Sequence, residues 1–320
     1  MVAKPIYKDR LLVKLIFNPS SGSDRDSPVQ LLDILRIMQD WKISSEIFII
    51  NTNCNLKKEL LESIKQGFEI FIVSGGDGTV SAVASIIAGK DVSMGIIPTG
   101  TQNNIAKSLG IPLEIGNAIA LIRTGKYEKV DIGIALCGKK KTPFIEICSI
   151  GLFPALFDSG NEIQHGKITR VGDFLSTLAT TPPSHIHMVL DNNQEIQHLG
   201  HIVMVSNMPF VGQHYKIGYL DSFKDGLLDV LFSADLTKLD IIGYVFKGSD
   251  TLDDSRIHHY QVRSIKISTD PPMPIMADDN EIGEGMVEIK VWKSALNILV
   301  KSHESNLILN SEESLEKSKG

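Results

Sequence analysis

The sequence predicts an α/β fold in which a three-layer domain built on a parallel sheet precedes a mainly β domain. In the first 130 residues, apolar runs of strand length alternate with segments that carry apolar residues at helical spacing. Such alternation is typical of a parallel sheet with helices on both faces. From about residue 135 onward, short strands and turn signals dominate, and the length of 320 residues accommodates two domains.

The predicted elements of the first domain follow one another closely. The first strand is the apolar run Leu11–Phe17, which ends in a turn rich in small donors. In chain order, the other predicted elements are helix 30–41, strand 45–50, helix 56–66, strand 70–73, helix 80–87, strand 93–98 and a helix from Ile105. Strands joined by crossover helices predict a Rossmann-like sheet, in which ligands bind at the carboxyl ends of the strands.

A glycine-rich loop that carries an acid, Ser74-Gly75-Gly76-Asp77-Gly78-Thr79, lies between the third strand and the third helix. This arrangement presents backbone N–H groups to a phosphate. The loop lacks the Lys of a P-loop, and Asp77 would repel a phosphate unless a cation or a donated hydrogen bond intervenes. We therefore predict a site for phosphate and Mg²⁺, with Asp77 acting through the metal, its water or the loop's own amides. The alternative is a glycine turn in which Asp77 is an ordinary N-cap.

Polar turns follow all four predicted strands of the first domain, around Asn18, Thr52, Asp77 and Thr101. The carboxyl ends of parallel strands lie at one edge of a sheet, so these turns are expected to line one cleft. Four such turns predict a nucleotide cleft more strongly than any single turn does. We expect this domain to span residues 1–135.

The second domain, residues 136–301, is predicted from strand patterns. Residues 186–190 and 198–205 are expected to form a hairpin around the polar turn Asp191–Gln194. Further strands are predicted at 227–232, 262–269, 286–292 and 296–300, and one helix at 166–180. The tail, residues 302–320, is rich in Ser, Glu and Lys and is expected to be mobile.

Two acidic segments of the second domain have the chemistry of sites. The loop Ser222–Leu227 can fold around a hard cation through carboxylate and backbone oxygens, although its Asp-Gly pair is also typical of a type I turn. Asp279 and Glu281 are two residues apart, and on a strand they would project together. Such a like-charge pair raises one pKa or binds a cation, and it can take a proton from a hydroxyl. The alternative is a solvated acidic turn between two strands.

Composition limits the partners and the compartment. A net charge of −6 argues against nucleic acid as the main partner, because nucleic-acid binding usually needs a basic face. Three Cys without metal-site spacing indicate a reduced, cytoplasmic setting. The N-terminus lacks the apolar segment of a signal peptide, and no apolar run reaches the length of a membrane helix. If the substrate is a lipid, the protein is expected to meet the membrane transiently.

An ordered series of motifs resembles the soluble diacylglycerol kinase catalytic family of bacterial lipid kinases, which is related to the sphingosine kinases. The likeness runs from about residue 11 to 300. Its motifs are Asn18-Pro19-Ser20-Ser21-Gly22, Gly75-Gly76-Asp77-Gly78-Thr79, the segment Pro98–Lys107, Asp225-Gly226-Leu227-Leu228-Asp229 and Asp279-Asn280-Glu281. The glycine loop alone also occurs in NAD kinases and phosphofructokinases, whereas the whole series in this order is specific to the lipid kinases.

The resemblance implies that the γ-phosphoryl group of ATP is transferred, with Mg²⁺, to the hydroxyl of diacylglycerol or a related lipid at a membrane surface. It implies that the second domain is a β-sandwich that helps to form the lipid pocket. The ATP site would comprise Asn18, Pro19, Ser21, Gly22, Thr52, Gly75, Gly76, Asp77, Gly78, Thr79, Thr101 and Asn103. The family's Mg²⁺ site falls on Ser222, Asp225 and Leu227. The proton acceptor falls on the Asp279–Glu281 unit, with Asp77 as the third catalytic residue.

The sequence departs from the family pattern at several positions, and two alternatives stay open. Asn104 replaces the usual Asp, Lys107 the usual Arg and Asn280 the usual Gly. The alternatives are an NAD kinase-like enzyme, which would share the glycine loop, and a catalytically inactive lipid- or nucleotide-binding relative. The pattern does not identify the lipid, and it leaves open whether the protein forms a homodimer.

Overall fold

The structure, a computed structural model, describes residues 11–22, 27–151, 182–211, 215–216, 221–233, 236–237, 240, 256–278 and 280–301. Its contacts divide the chain into two compact units. Unit 1 holds the described residues up to Lys129 together with those from Leu296 onward, and unit 2 is Val130–Ala295. The predicted helix 166–180, the predicted tail 302–320 and the candidate Asp279 lie outside the described residues.

Unit 1 is a parallel sheet with helices, as the sequence predicts. Its strands have the order β2-β1-β3-β4, and the last residues of a long C-terminal strand pair with β4. The strands are β1 (Leu11–Phe17), β2 (Ile43–Ile49), β3 (Ile70–Gly75) and β4 (Ser93–Pro98). The helices are α1 (Ser27–Asp40), α2 (Leu56–Lys65), α3 (Asp77–Ile87), α4 (Asn104–Ser108) and α5 (Ile115–Thr124). All four strands end at one edge of the sheet, because every pairing among them is parallel.

Burial explains why β3 is the central strand of this unit. All six of its residues are buried, so its apolar run is covered on both faces. One face packs side chains of β1 and β3 against α1 and α5. In β1 the buried Lys14 bonds to Glu46 of β2 at 2.7 Å and to Glu59 of α2 at 2.6 Å. This charge is tolerated in the interior because two carboxylates pair with it.

Unit 2 is a sandwich of two largely antiparallel sheets around one core. One sheet has the order β14-β13-β10-β7-β16-β17, and the other contains β18-β15-β8-β9 with the β5–β6 hairpin beside β18. Apolar side chains of both sheets form the core. The strands are β5 (Lys126–Cys137), β6 (Lys140–Phe144), β7 (Ile147–Gly151), β8 (Ser184–Leu190), β9 (Gln194–Gly200), β10 (Ile202–Ser206), β11 (Phe210–Val211), β12 (Tyr215–Lys216), β13 (Leu228–Ser233), β14 (Ile257–Val262), β15 (Ser264–Asp270), β16 (Pro274–Ala277), β17 (Asn280–Glu284) and β18 (Met286–Val300). The predicted fold class, a three-layer α/β domain followed by a β-sandwich, is confirmed.

The structure corrects three predicted strands of the second domain. The predicted strand 198–205 is two strands, because β9 ends at Gly200 and β10 begins at Ile202 in the opposite sheet. The crossing falls at His201, which is buried. The predicted strands 286–292 and 296–300 are one strand, β18, which stays continuous past Ser294 at φ +52°.

The last residues of β18 belong to unit 1, whereas the sequence analysis places 296–301 in the second domain. Asn297 and Ile298 pair in parallel with Ser93 and Met94 of β4. The Asn297 side chain also donates a hydrogen bond of 3.4 Å to the carbonyl of Val92. Among the described helices, none is long and apolar enough to cross a membrane.

Candidate active site

The glycine-rich loop of unit 1 joins the end of β3 to the start of α3. Gly76 is the N-cap of α3 and has an extended backbone, with φ −88° and ψ −176°. Its carbonyl accepts hydrogen bonds of 3.0 Å from the amides of Thr79 and Val80, which closes the first helical turn. The first amides of a helix have no intrahelical partner, so this helix start can bind an anion.

Steric contact explains why two turns of this edge need glycine. A Cβ on Gly100 would lie 2.4 Å from the Cα of Gly76, and a Cβ on Gly76 would lie 3.1 Å from the Cα of Gly100. A Cβ on Gly75 would lie 2.6 Å from the Cβ of Thr79. The backbones of the turns after β3 and β4 are therefore in contact. From the sequence, the glycines of the loop were assigned only to phosphate binding.

Asp77 binds the amides of a neighbouring helix. Its Oδ2 accepts a hydrogen bond of 3.0 Å from the amide of Asn104, and its Oδ1 accepts one of 3.0 Å from the amide of Ile105. From the sequence, Asp77 is expected to act through the metal, its water or the loop's own amides, with an ordinary N-cap role as the alternative. The observed partners instead begin α4, so Asp77 caps a helix that lies 27 residues further along the chain.

The pKa of Asp77 is raised. Burial raises it most, while the amides of Ile105 and Asn104 and the charge of Lys107 oppose the shift. Each carboxylate oxygen has two lone pairs, so each oxygen of Asp77 retains acceptor capacity beyond these two amides.

The turn after β1 packs against the glycine loop. Asn18 donates from Nδ2 to the hydroxyl oxygen of Thr79 at 2.7 Å, and the amide of Gly76 donates to Oγ of Ser21 at 3.2 Å. Gly22 has a φ of +87°, and a Cβ there would lie 2.6 Å from the carbonyl oxygen of Thr99. The turns after β1, β3 and β4 thus form one continuous surface, with Pro19 half-buried within the first of them.

The remaining nucleotide-site candidates differ in their surroundings. Thr52 and Thr101 are exposed in the turns that follow β2 and β4, and Gly78 is exposed in the first turn of α3. Asn103 has a left-handed backbone, and its side chain accepts from the amide of Gly100 at 3.0 Å and donates to its carbonyl at 2.8 Å. The side chain of Asn103 therefore shapes the turn that contacts the glycine loop.

The predicted Mg²⁺ loop of unit 2 forms a 3₁₀ turn at Ser222–Lys224, followed by Asp225. Oδ1 of Asp225 accepts a hydrogen bond of 2.8 Å from the amide of Leu227. Burial raises the pKa of Asp225, and the nearby carboxylates of Asp229 and Asp131 raise it further against that amide bond. The loop therefore concentrates negative charge in a partly buried place.

The chemistry of this loop fits a hard cation. Oγ of Ser222 is buried without a hydrogen-bond partner among the described residues, so it is an oxygen that a ligand could satisfy. Carboxylate, hydroxyl and backbone oxygens are the ligands that Mg²⁺ prefers. The described residues contain no cluster of three or more His, Cys, Asp and Glu side chains placed to hold a metal. A site here would therefore depend on Asp225 with hydroxyl and backbone oxygens.

Asp131, which was not identified from the sequence, binds the backbone of this loop. The carboxylate accepts hydrogen bonds from the amide of Gly226 at 2.8 Å and from the amide of Ser294 at 2.6 Å. Gly226 has a φ of +76°, so the loop turns sharply at this amide. The signal was an acid inside an apolar strand, since a buried charge requires partners.

Asp278 is a second residue that sequence reasoning missed. Its carboxylate accepts hydrogen bonds from three consecutive amides, those of Ile145 at 2.9 Å and of Glu146 and Ile147 at 3.0 Å each. Its own amide donates to the carbonyl of Ile147 at 2.8 Å. The sequence signal was present, because Asp278 directly precedes the candidate Asp279.

Glu281 lies on β17, while the predicted pairing of its side chain with Asp279 stays a prediction. Ala277 of β16 pairs with Asn280 of β17, and β17 begins at Asn280. Glu281 is exposed, and its backbone carbonyl accepts a hydrogen bond of 3.0 Å from Nζ of Lys140.

Two family sequence models match successive parts of the chain. The diacylglycerol kinase catalytic domain matches residues 12–135. The YegS C-terminal NAD kinase beta sandwich-like domain matches residues 160–300. The first match contains the glycine loop and the turns that contact it, and the second contains the loop at Ser222–Leu227.

Individual relatives match over most of the chain. A Synechocystis protein whose name assigns no activity is 27% identical over 304 residues, 89% of this chain and 69% of its own. A diacylglycerol kinase of Mycobacterium tuberculosis is 27% identical over 251 residues, 76% of this chain and 81% of its own. The crystal structure of a diacylglycerol kinase from Bacillus anthracis superposes with a TM-score of 0.69 at 22% identity, covering 92% of this chain and 97% of that one.

The last of these similarities shows a shared fold, and the family models show the kinship. A kinase family implies ATP as the phosphoryl donor and supports a lipid-kinase type of phosphotransferase. The chain belongs to the diacylglycerol kinase catalytic-domain family of YegS-like lipid kinases.

Proposed function

We propose that this protein transfers the γ-phosphoryl group of ATP to the free hydroxyl of diacylglycerol or a closely related lipid. The observation that carries the proposal is the continuous surface of unit 1, where the turns after β1, β3 and β4 bind one another around the start of α3. Family membership supplies the reaction class, and this surface supplies a phosphate-binding geometry.

In the proposed site, ATP binds along this surface. The exposed first turn of α3 at Gly78 would donate amides to phosphate oxygens, while Thr52 and Thr101 offer exposed hydroxyls. The contact of Asn18 with Thr79 fixes two of the turns before the nucleotide arrives. A site whose donors are already held in place stabilises developing charge without reorganisation during the reaction.

Asp77 is proposed to act mainly by holding α4 against the loop. Its two amide bonds set the position of the turn Thr99–Asn103, which carries Thr101. A partly buried carboxylate next to phosphate needs compensation, and the amides at the helix start supply part of it. The remaining lone pairs of Asp77 can accept a hydrogen bond from a water molecule in the nucleotide site.

Mg²⁺ is proposed to be held by Ser222, Asp225 and the backbone oxygen of Leu227. When bound there, the cation would supply positive charge that offsets the carboxylates of Asp225, Asp229 and Asp131. Asp131 holds the conformation of this loop by accepting a hydrogen bond from the amide of Gly226.

The proton of the lipid hydroxyl is proposed to pass to the Asp279–Glu281 unit. Exposed Glu281 sits on a strand whose hairpin is anchored by the three amide bonds of Asp278, so its backbone is well fixed. General-base transfer needs a carboxylate placed within hydrogen-bond reach of the hydroxyl. Because diacylglycerol resides in bilayers, the proposed reaction takes place at a membrane surface.

The deciding experiment supplies the purified full chain with labelled ATP and Mg²⁺, and offers diacylglycerol, sphingosine and NAD in separate reactions. We expect labelled phosphatidic acid from diacylglycerol. Label in NADP alone would replace the proposal with an NAD kinase activity. ATP binding without label in any product would replace it with a nucleotide-binding relative that lacks transfer.

A further inference from the structure

The β5–β6 hairpin of unit 2 carries an exposed surface that the proposed sites do not use. Its turn is Gly138–Lys139, and Cys137 pairs with Lys140 across it. Gly138 has a φ of +56°, and a Cβ built there would meet nothing within 4 Å in the described part of the chain. The tip of the hairpin is therefore accessible.

Basic and apolar side chains share one face of this hairpin. Leu136 lies directly opposite Lys141, so their side chains are neighbours. Nζ of Lys141 lies 5.8 Å from the ring centroid of Trp292 on β18. Leu136 is 39% exposed and Trp292 is 38% exposed. We call Leu136, Lys139, Lys141 and Trp292 the hairpin surface.

The hairpin is held in place by its opposite side. Lys140 alternates with Lys141 along β6, and its Nζ donates to the carbonyl of Glu281 at 3.0 Å. On β5, Cys137 packs against the core of unit 2, and its Sγ would lie 2.5 Å from a Cβ on Gly283. A surface that is fixed before binding loses little conformational entropy when it binds.

The charge of the hairpin surface is available to a partner. Within the described residues, neither Lys139 nor Lys141 has a carboxylate within ion-pair distance. Lys58, Lys126, Lys224 and Lys290, by contrast, each lie within ion-pair distance of a carboxylate. The whole chain carries a net charge of −6, so attraction to an anionic partner has to come from local positive charge such as that of Lys139 and Lys141.

We propose that the hairpin surface docks the protein onto an anionic lipid membrane. Trp and Leu side chains partition into the interface between headgroups and acyl chains, while lysines attract anionic headgroups. A nucleic acid or an acidic protein would use the two lysines but would offer no hydrocarbon to Leu136 and Trp292. The choice of a lipid occupant rests on the proposed function, in which the acceptor is a membrane lipid.

The test uses Trp292 as its own reporter. The chain contains two tryptophans, so Trp41→Phe in the full-length protein leaves Trp292 as the single indole. Vesicles that contain phosphatidylglycerol are expected to shift the emission of Trp292 to shorter wavelength, and vesicles of pure phosphatidylcholine are expected to leave it nearly unchanged. High salt should reverse the shift, because it screens exposed charges.

A pair of charge-reversal variants separates local from global charge. Lys139→Glu with Lys141→Glu is expected to weaken partitioning by more than about 30-fold, since each lysine near an anionic surface contributes about fivefold. Lys57→Glu with Lys58→Glu, on exposed positions of α2, changes the net charge equally and is expected to retain most of the binding. Equal loss in both double variants, or no emission shift with phosphatidylglycerol vesicles, overturns the proposal. A shift of the Trp292 emission with duplex DNA or polyglutamate in place of vesicles also overturns the proposal.

The outcome is separable from that of the proposed function. Vesicle binding is measured without ATP, and transfer is measured on diacylglycerol in neutral detergent micelles, which carry no anionic lipid. Absence of transfer in micelles overturns the kinase proposal alone. Transfer in micelles together with absent vesicle binding overturns the docking surface alone.

Discussion

Asp77 and Asn104 are joined by a hydrogen bond of 3.0 Å from the backbone amide of Asn104 to Oδ2 of Asp77. A second bond from Ile105 engages Oδ1, so one carboxylate ties the start of α4 to the start of α3. The acid of the glycine-rich loop is thus part of the scaffold of the nucleotide surface as well as a candidate for its chemistry.

The substitution Asp77→Asn should affect both stability and transfer. The side chain of Asn has one oxygen, so it can accept only one of the two backbone hydrogen bonds well. The free energy of unfolding should therefore fall by about 0.5–2 kcal/mol, the usual effect of losing a helix cap. Transfer should fall much further, because Thr101 loses its fixed position. Thermal unfolding and labelled-ATP transfer measure the two effects. Asp91→Asn, at an exposed position, is the control. Full transfer by the Asp77 variant would contradict its role.

The raised pKa of Asp77 predicts a pH dependence of stability. The folded state keeps a proton at pH values where the unfolded chain has lost it. The contribution of Asp77 to the free energy of unfolding should therefore decrease as the pH rises from the ordinary aspartate pKa of about 4 toward the raised folded value. We would measure the free energy of unfolding by urea titration at several pH values across this range. Plotted against pH, it should have a less negative slope in Asp77→Asn than in wild type. Identical slopes would show that Asp77 titrates normally.

The contact of Gly76 with Gly100 predicts a selective loss of nucleotide binding. A Cβ in Gly100→Ala would lie 2.4 Å from the Cα of Gly76, so the two turns must separate. We expect ATP affinity, measured by calorimetry, to fall at least about tenfold, a loss of about 1.4 kcal/mol. Gly110→Ala is a stringent control, because Gly110 has a φ of +65° but open space around it among the described residues. Equal ATP affinity in both variants would show that the contact is dispensable.

The three amide bonds of Asp278 predict a large effect on unit 2. In Asp278→Ala three amides lose a charged acceptor, so the free energy of unfolding should fall by about 2–4 kcal/mol, given the usual strength of hydrogen bonds to charged groups. Asp278→Gly removes the same bonds while suiting the observed φ of +45°. It should therefore be less destabilised than the Ala variant. Urea unfolding measures both losses, with exposed Asp270→Asn as the control; an Asp278→Gly variant no less stable than Asp270→Asn would refute the anchor.

Removal of divalent cations should destabilise the protein through the loop at Asp225. A chelator should lower the melting temperature of the wild type, and added Mg²⁺ should restore it, because a ligand that binds only the folded state stabilises it. In Asp225→Asn this response should be lost, while Asp221→Asn, an exposed neighbour in the preceding turn, should retain it. A chelator response that persists in Asp225→Asn would place the cation elsewhere.

Local patterns were enough to predict the first four strands of unit 1 and most of its helices, whereas α5 and the C-terminal strand beside β4 were missed. The apolar runs at 11–17, 70–73 and 93–98 coincide with β1, β3 and β4, because a strand that is covered on both faces is mostly apolar. The turn residues of the site followed from the same pattern, since parallel strands end at one edge. These features depend only on residues that are near one another in the chain.

Long-range contacts explain what the sequence could not predict. The partners of Asp77 lie 27 and 28 residues away, and those of Asp278 lie more than 130 residues away. Nothing in the spacing of these acids indicates which amides they bind. Likewise, the division of residues 198–205 between two sheets depends on distant partner strands, which are β8 for β9 and both β7 and β13 for β10.

The pairing of Asn297 and Ile298 with β4 has a consequence for synthesis on the ribosome. The sheet that carries the nucleotide surface receives this strand only after all of unit 2 has been translated. Until then, β4 of the nascent chain lacks this neighbour and exposes backbone donors and acceptors that can pair with another chain. Translation that stops before residue 297 would therefore leave the nucleotide-binding half with an open edge, however completely unit 2 had been made.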